Sequence, residues 1–228
     1  MKILITGGGS EEPIDNVRSV CNFSTGKTSS FLAEQFSSKG CEVTAIMAEK
    51  AVKPENCRII TYKTFAELKN CLESECKTQS YDAVIHAAAV SDYSPEKIIV
   101  DGKEFKAGEV SKVPAGTELV IRMKKNPKLV DSIKLNAGTN CKVIAFKLTS
   151  NATPSERKTA VNKIFSANEK KELSPDFVVS NDLSEINADK HPCTIYAKDM
   201  SVYETVSNLK ELSETLYRIT GEKNDFNT

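Results

Sequence analysis

Short runs of consecutive apolar and β-branched residues alternate along the chain with stretches whose apolar residues recur at helical spacing. Lys2 to Thr6, Cys41 to Ala48, Asp82 to Ala88, Lys142 to Leu148 and Phe177 to Ser180 are of the first kind and predict buried strands. Ser29 to Lys39 sets Phe31, Leu32 and Phe36 on one helical face, and Gly40 stops it. Residues 64 to 77 do the same with Phe65, Leu68, Cys71 and Leu72 behind Thr64 as N-cap. Helices are also expected over Pro154 to Lys171 and Val202 to Ile219, and a short one after Asn126-Pro127. Leu119 to Met123 reads as a strand, and Thr194 to Ala197 as an edge strand. The β-α-β-α-β succession predicts a Rossmann-like α/β fold: three layers, doubly wound, around a mostly parallel sheet with right-handed crossovers. At 228 residues the chain can close one core, so residues 1–228 are taken as one domain. The pattern lapses over residues 94–117, where Pro95, Gly102, Gly108, Pro114 and Gly116 stand among lysines and glutamates. A connection that long without clear elements reads as a flap over a site. From Gly221 to residue 228 the pattern fades into a tail expected to fray.

Composition narrows the function classes. Lys plus Arg and Asp plus Glu are both 31, so no net field draws the chain to nucleic acid or membrane. With no tryptophan and 7% aromatics, stacked-base recognition has little support. The start MKILITGGG lacks a secretory h-region, and no apolar run reaches membrane-spanning length, which together imply a cytoplasmic protein. Seven cysteines without a CxxC pair read as reduced, mostly buried thiols. His86 and His191 lie far apart without cysteine neighbours, which argues against structural zinc.

Candidate chemistry gathers at strand ends. Gly7-Gly8-Gly9 follows the first strand, at the sheet edge where open α/β folds bind ligands. Asn22-Phe23-Ser24-Thr25-Gly26-Lys27 is a second small-residue turn before a helix, suited to phosphate. It is no P-loop, because Cys21 stands where the first glycine belongs. The dinucleotide fingerprint fails at Glu12, and Pro95 between Tyr93 and Lys97 spoils a YxxxK dyad. Ala87-Ala88-Ala89-Val90-Ser91-Asp92-Tyr93 offers a smooth surface followed by a hydroxyl and a carboxylate, although Asp92 reads equally well as a helix cap. Asn181-Asp182 reads as a site pair or a turn, Phe146 as core, and the individual lysines as solvated surface.

Taken in order from residue 7 to 182, GGGSEEPID, VRSVCNFSTGK, AAAVSDY, KKNPKLV, FKL and VVSND resemble phosphopantothenate–cysteine ligase (phosphopantothenoylcysteine synthetase) of coenzyme A biosynthesis. Because the chain opens on the first strand, it resembles the stand-alone form without a fused flavin-bearing decarboxylase. The resemblance implies that a nucleoside triphosphate, CTP or ATP with Mg²⁺, activates the carboxylate of 4'-phosphopantothenate as an acyl-nucleotidylate, which the cysteine amine then converts to the amide. It implies that Gly8, Ser24, Gly26, Phe146, Lys147, Lys171 and Asn181 hold the nucleotide, with Phe146 and Asn181 framing base and ribose. It further implies that Asn22 contacts the acyl group, and that Ala88, Ala89 and Asp92 hold the pantothenate arm in a homodimer with shared sites. Ser10 replaces a usual threonine. Glu109 falls where a catalytic flap lysine is expected, so Lys112 (or Lys106) would have to act instead. Two other readings stand beside this one: a short-chain NAD(P) oxidoreductase, and a nucleotide-sensing module without turnover.

Overall fold

Residues 1–116, 118–187 and 189–222 are described by the computed structural model. The first half of the chain gives β1 (Lys2–Gly7), β2 (Glu11–Pro13), β3 (Ser19–Cys21), α1 (Lys27–Ser38), β4 (Glu42–Ala48), β5 (Arg58–Tyr62), α2 (Phe65–Thr78), β6 (Ala83–His86), β7 (Tyr93–Val100) and β8 (Lys103–Lys106). The second half gives β9 (Leu119–Lys125), α3 (Val130–Ala137), β10 (Lys142–Thr149), α4 (Pro154–Phe165), β11 (Phe177–Asp182), β12 (Cys193–Ala197), β13 (Val202–Val206) and α5 (Leu209–Gly221).

Eight strands form the main sheet in the order β13-β12-β11-β10-β6-β1-β4-β5. The six from β11 to β5 are parallel, and β12 and β13 close one edge antiparallel. This is the doubly wound, mostly parallel α/β architecture expected from the pattern. Alternate residues of each central strand bury on opposite faces. Ile3, Ile5, Ile85 and Val179 pack on Leu32 and Phe36 of α1 and on Leu216 and Ile219 of α5. Leu4, Ile46, Val84 and Val143 pack on Leu68 and Leu72 of α2 and on Ile133 of α3. On that second face, Ala145 and Val178 meet Val161 and Phe165 of α4. Burial on both faces explains why these strands read as unbroken apolar runs. Thr64 and Thr153 each close a capping box, with Glu67 and Glu156, that starts α2 and α4.

Several boundaries differ from the sequence expectation. The helix expected to reach Lys171 ends at Phe165, the last residue of α4 that packs on the sheet, and Lys171 opens a separate 3-10 turn, Lys171–Leu173. The expected helix from Val202 divides: Val202–Val206 pairs with β12, and α5 starts only after Asn208, whose side chain accepts the Glu211 N–H at 2.9 Å. The five residues VYETV bury only Val206 fully and show no strand alternation, so nothing in their pattern separates them from the helix that follows. Residues 221–228 were expected to fray. Gly221 instead ends α5, the Lys142 ammonium reaches the carbonyls of Ile219 (2.7 Å) and Glu222, and residues 223–228 lie outside the described set. All seven cysteines are free, and burial pushes the thiols of Cys76, Cys141 and Cys193 up to about 12. Among the described residues no helix is long and apolar enough to cross a membrane.

The segment 94–117, expected to lack clear elements, carries most of β7 and all of β8. With β9 they make a three-stranded antiparallel sheet, β8-β7-β9, so Leu119–Lys125 lies outside the main sheet. This sheet packs on the β2-β3 ribbon through its own small core of Ile14, Ile98 and Val113. The Asp15 carboxylate ties the two parts by accepting the Val113 N–H at 2.9 Å and those of Val17 and Arg18 at 2.8 and 2.7 Å.

Candidate functional site

From β1 the chain winds outward to β4 and β5, then returns to β6 on the other side of β1. Connections leaving β1 and β6 therefore diverge, which opens a crevice at their carboxyl ends. A cavity of about 1090 Å³ lies there, lined by residues 21–29, 86–92, 127–131 and 145–148, the inner side of α4, Asn181 and His191. That volume is at or above the upper end of the usual range for one small ligand, so two reactants fit together.

Its first wall is the turn before α1, seated by the glycines of the β1 end. A Cβ on Gly9 would stand 1.9 Å from the Asn22 carbonyl oxygen, so only glycine lets Asn22 approach and bond the Ser10 carbonyl through its N–H at 3.1 Å. Gly26, with φ +71, turns the chain into α1 where a Cβ would meet Ala51 at 2.7 Å. The N-cap of α1 is Gly26, which has no side chain to cap the helix. The Lys27 N–H makes only a long bond to Thr25 Oγ1 at 3.5 Å, and this first turn faces the cavity, where helix N–H groups suit an anion. The triple glycine thus serves packing: Gly7 makes room for Ser29, Gly8 for Ala48 and Ala51, and Gly9 for Asn22.

The second wall is the loop after β6. Ala89 pairs with Gly9, and its N–H reaches the Gly8 carbonyl at 2.9 Å. Ser10 Oγ accepts the Ser91 N–H at 3.0 Å, while the Ser91 hydroxyl donates to the Tyr93 carbonyl at 2.6 Å. Asn126 donates to the Ser91 carbonyl at 3.0 Å and to Ser94 Oγ at 2.8 Å, and Ser94 donates to buried Glu12 at 2.8 Å. The loop is thereby fixed from both sides, leaving the small faces of Ala88 and Ala89 and the Asp92 carboxylate toward the cavity. Lys128 closes an ion pair on Asp92 at the rim.

The third wall comes from β10, α4 and β11. Lys147 is half-buried and pairs in register with Ser180, and Asn181 lies opposite Leu148. The Asn181 amide is 3.2 Å from His191 Nε2. Asp182, one residue on, is structural: Ser184, Thr149, Asn151 and Ala152 all hydrogen-bond its carboxylate, which holds it far below the usual carboxylate range and fixes the loop into α4. Half-buried Asp131 lines the cavity with one oxygen unpartnered, and burial raises its carboxyl.

A family model described as the DNA/pantothenate metabolism flavoprotein C-terminal domain matches residues 1–219. The chain belongs to this family. It is 28% identical over 217 residues to the coenzyme A biosynthesis bifunctional protein CoaBC of Thermococcus kodakarensis, covering 95% of this chain and 50% of that protein. Its identity to the protein of the same name from Borreliella burgdorferi is 30% over 222 residues, covering 95% and 52%. The chain spans about half the length of these curated relatives. Among solved structures, the DNA/pantothenate metabolism flavoprotein from Streptococcus pneumoniae superposes with a TM-score of 0.82 at 29% identity, covering 96% of this chain and 97% of that one. A Cab2 variant in complex with phosphopantothenate-cysteine shares the fold, with a TM-score of 0.76 at 17% identity and 96% and 84% coverage.

Of the residues singled out in the sequence, Asn22, Ser24, Gly26, Ala88, Ala89, Asp92, Phe146, Lys147 and Asn181 line this one cavity. Gly8 sits behind the wall, and neither Lys112 nor Lys171 reaches the lining. Lys112 is exposed beside Val113 in the small sheet's loop, and Lys106 pairs with Glu109. Tyr93 and Lys97 lie on β7, outside the cavity, with Lys97 paired to Glu104, so the oxidoreductase dyad does not form. Lys163, Lys128, Asp131, His86 and His191 line the cavity without having been assigned to it. Lys128 carried a signal as part of KKNPKLV, and Lys163 as a lysine in the last turn of a helix.

Proposed function

We propose that this chain joins 4'-phosphopantothenate to cysteine through an acyl-nucleotidylate, consuming CTP or ATP and releasing pyrophosphate. The observation that carries the reading is the convergence on one crevice of the Asn22–Gly26 turn, the Ala88–Asp92 loop and the Phe146, Lys147 and Asn181 group. The reading is compatible with the coenzyme A biosynthesis for which these relatives are named.

Anhydride formation and aminolysis need two reactants held in line and negative charge neutralised, not a side-chain nucleophile. The α1 amino end, Ser24 and Gly26 would hold the phosphates, with Lys147 and Lys163 supplying charge. Neither lysine has an ion-pair partner among the described residues. Phe146 and Asn181 would frame base and ribose. Ala88 and Ala89 would leave room for the pantothenate arm, whose polar groups would meet Asp92. Asn22, held by the Gly9 contact, would sit at the acyl carbon and keep water from the activated intermediate. Among the described residues no cluster of three or more metal-ligating side chains occurs. Magnesium therefore fits best as an ion carried by the nucleotide's phosphates, neutralising their charge when bound. A homodimer with shared sites belongs to the same proposal. Phe23, 98% exposed on the cavity lip between Asn22 and Ser24, supports a second copy covering that edge.

The test is pyrophosphate release from CTP and from ATP, with 4'-phosphopantothenate and Mg²⁺, with and without cysteine. Release that requires phosphopantothenate is expected, and the faster nucleotide identifies the natural one. Lys163→Ala should raise the nucleotide KM more than Lys171→Ala does. Nucleotide binding without release under any condition would replace the ligase with a sensing module.

A further inference from the structure

His86 closes β6 on the floor of the cavity, 8% exposed, in register with Thr6 on one side and Ala145 on the other. Its Nδ1 lies 2.8 Å from Thr6 Oγ1, and that oxygen also accepts the Ala88 N–H at 3.2 Å. The Thr6 hydroxyl has one proton to give, and among the described residues His86 Nδ1 is the acceptor within its reach. The arrangement that leaves the buried threonine hydroxyl paired is the one in which it donates to Nδ1; Nδ1 is then the bare nitrogen and the ring proton is on Nε2. Nε2 has no protein partner among the described residues, and the small side chain of Ala145 beside it leaves the ring edge open to the cavity.

We propose that His86 is a ligand-contacting residue of this site, a neutral imidazole that points an Nε2–H at an anionic oxygen of the bound reactants. Burial pushes its imidazole down to about 4, so the ring stays uncharged at neutral pH. A neutral, fixed donor strengthens as charge builds on the facing oxygen and binds the resting reactants only modestly, which suits a group used at the reacting centre. The anion is a carboxylate or phosphate oxygen, from phosphopantothenate or from the nucleotide. That identity rests on the ligase reading; the tautomer does not.

The experiment is long-range ¹H–¹⁵N correlation on histidine-labelled protein, free and then saturated with CTP·Mg, with ATP·Mg, or with 4'-phosphopantothenate. The Nε2–H tautomer is expected in the free protein, without titration between about pH 5.5 and 8. The Nε2 signal should shift with the reactant that supplies the oxygen, which separates the two sources. An Nδ1–H tautomer in the free protein overturns the proposal whatever becomes of the ligase reading. So does an Nε2 signal unmoved by a reactant that calorimetry shows to be bound. In turnover, His86→Leu should lower kcat about ten- to hundredfold, and His86→Gln, which keeps an N–H donor, should lose less. Equal losses in the two variants at unchanged melting temperature would count against a donor role.

Discussion

The main sheet and the small three-stranded sheet are held in opposite ways. Central strands of the main sheet bury both faces against five helices, and the polar groups buried with them, such as Asp176 and Lys134, are paired. The small sheet buries one face only, over Ile14, Ile98 and Val113, and shows the other as Lys97, Glu104 and Arg122, linked in a chain of ion pairs. A two-sided core makes a rigid floor, and the cavity is built there. A one-sided core of three side chains makes an attachment whose position depends on a few contacts, chiefly those of Asp15. The difference predicts that the two regions lose order independently.

The largest effect should come from Asp176→Ala in the main body. Asp176 is buried, pairs with the Lys134 ammonium at 2.6 Å and accepts the Val143 N–H at 2.8 Å at the start of β10. Removing it strands a buried charge, and urea unfolding should lose about 3–5 kcal/mol. A loss under about 1 kcal/mol would show that the body tolerates the charge. Next, Ile98→Ala should cost about 2–5 kcal/mol, but locally. Hydrogen exchange should speed in β7 and β9 while β1 and β6 keep their protection, and equal acceleration in both regions would merge them into one cooperative unit. The smallest effect is one of pH. The N–H groups of Val113, then of Val17 and Arg18, hold the Asp15 carboxyl below its usual range. Its contribution is thus complete above the unfolded value of about 3.9 and is lost as pH falls through the lower folded one. Exchange in β7 and β9 should rise on acidification, and Asp15→Asn should flatten that response. A wild-type profile without the rise would take Asp15 out of the attachment.

What the sequence disclosed follows the same division. Strands buried on both faces announce themselves as apolar runs, so β1, β4, β6, β10 and β11 were legible, and with them the cavity at their carboxyl ends. Outside those strands the mark weakens: β9 and β12 could still be read from their apolar and β-branched residues, but β5 is largely exposed, with Arg58 reaching Glu75, and β2 and β3 have three residues each. The stretch around β7 and β8 reads as irregular chain because its one-sided core draws on residues as far apart as Ile14 and Val113. The expected helix stops six residues short of Lys171, so Lys163, in its last turn, is the lysine that lines the cavity. Nothing next to His86 in the chain marks it out, since the hydrogen bond that orients its ring comes from a threonine 80 residues away.

The glycines after β1 leave one more lesson, about mutational sensitivity and molecular contact. Residues 7 to 9 back onto Ser29, Ala48, Ala51 and Asn22, so a side chain added there evicts a neighbour before it meets any reactant. A survey of tolerated substitutions would score these positions as strictly as the phosphate-binding turn itself and invite the conclusion that they touch the nucleotide. Their intolerance instead descends from the residues they shelter. The same hypersensitive stretch would persist in a descendant that had exchanged its reactants altogether, a fossil of the architecture rather than a record of the chemistry.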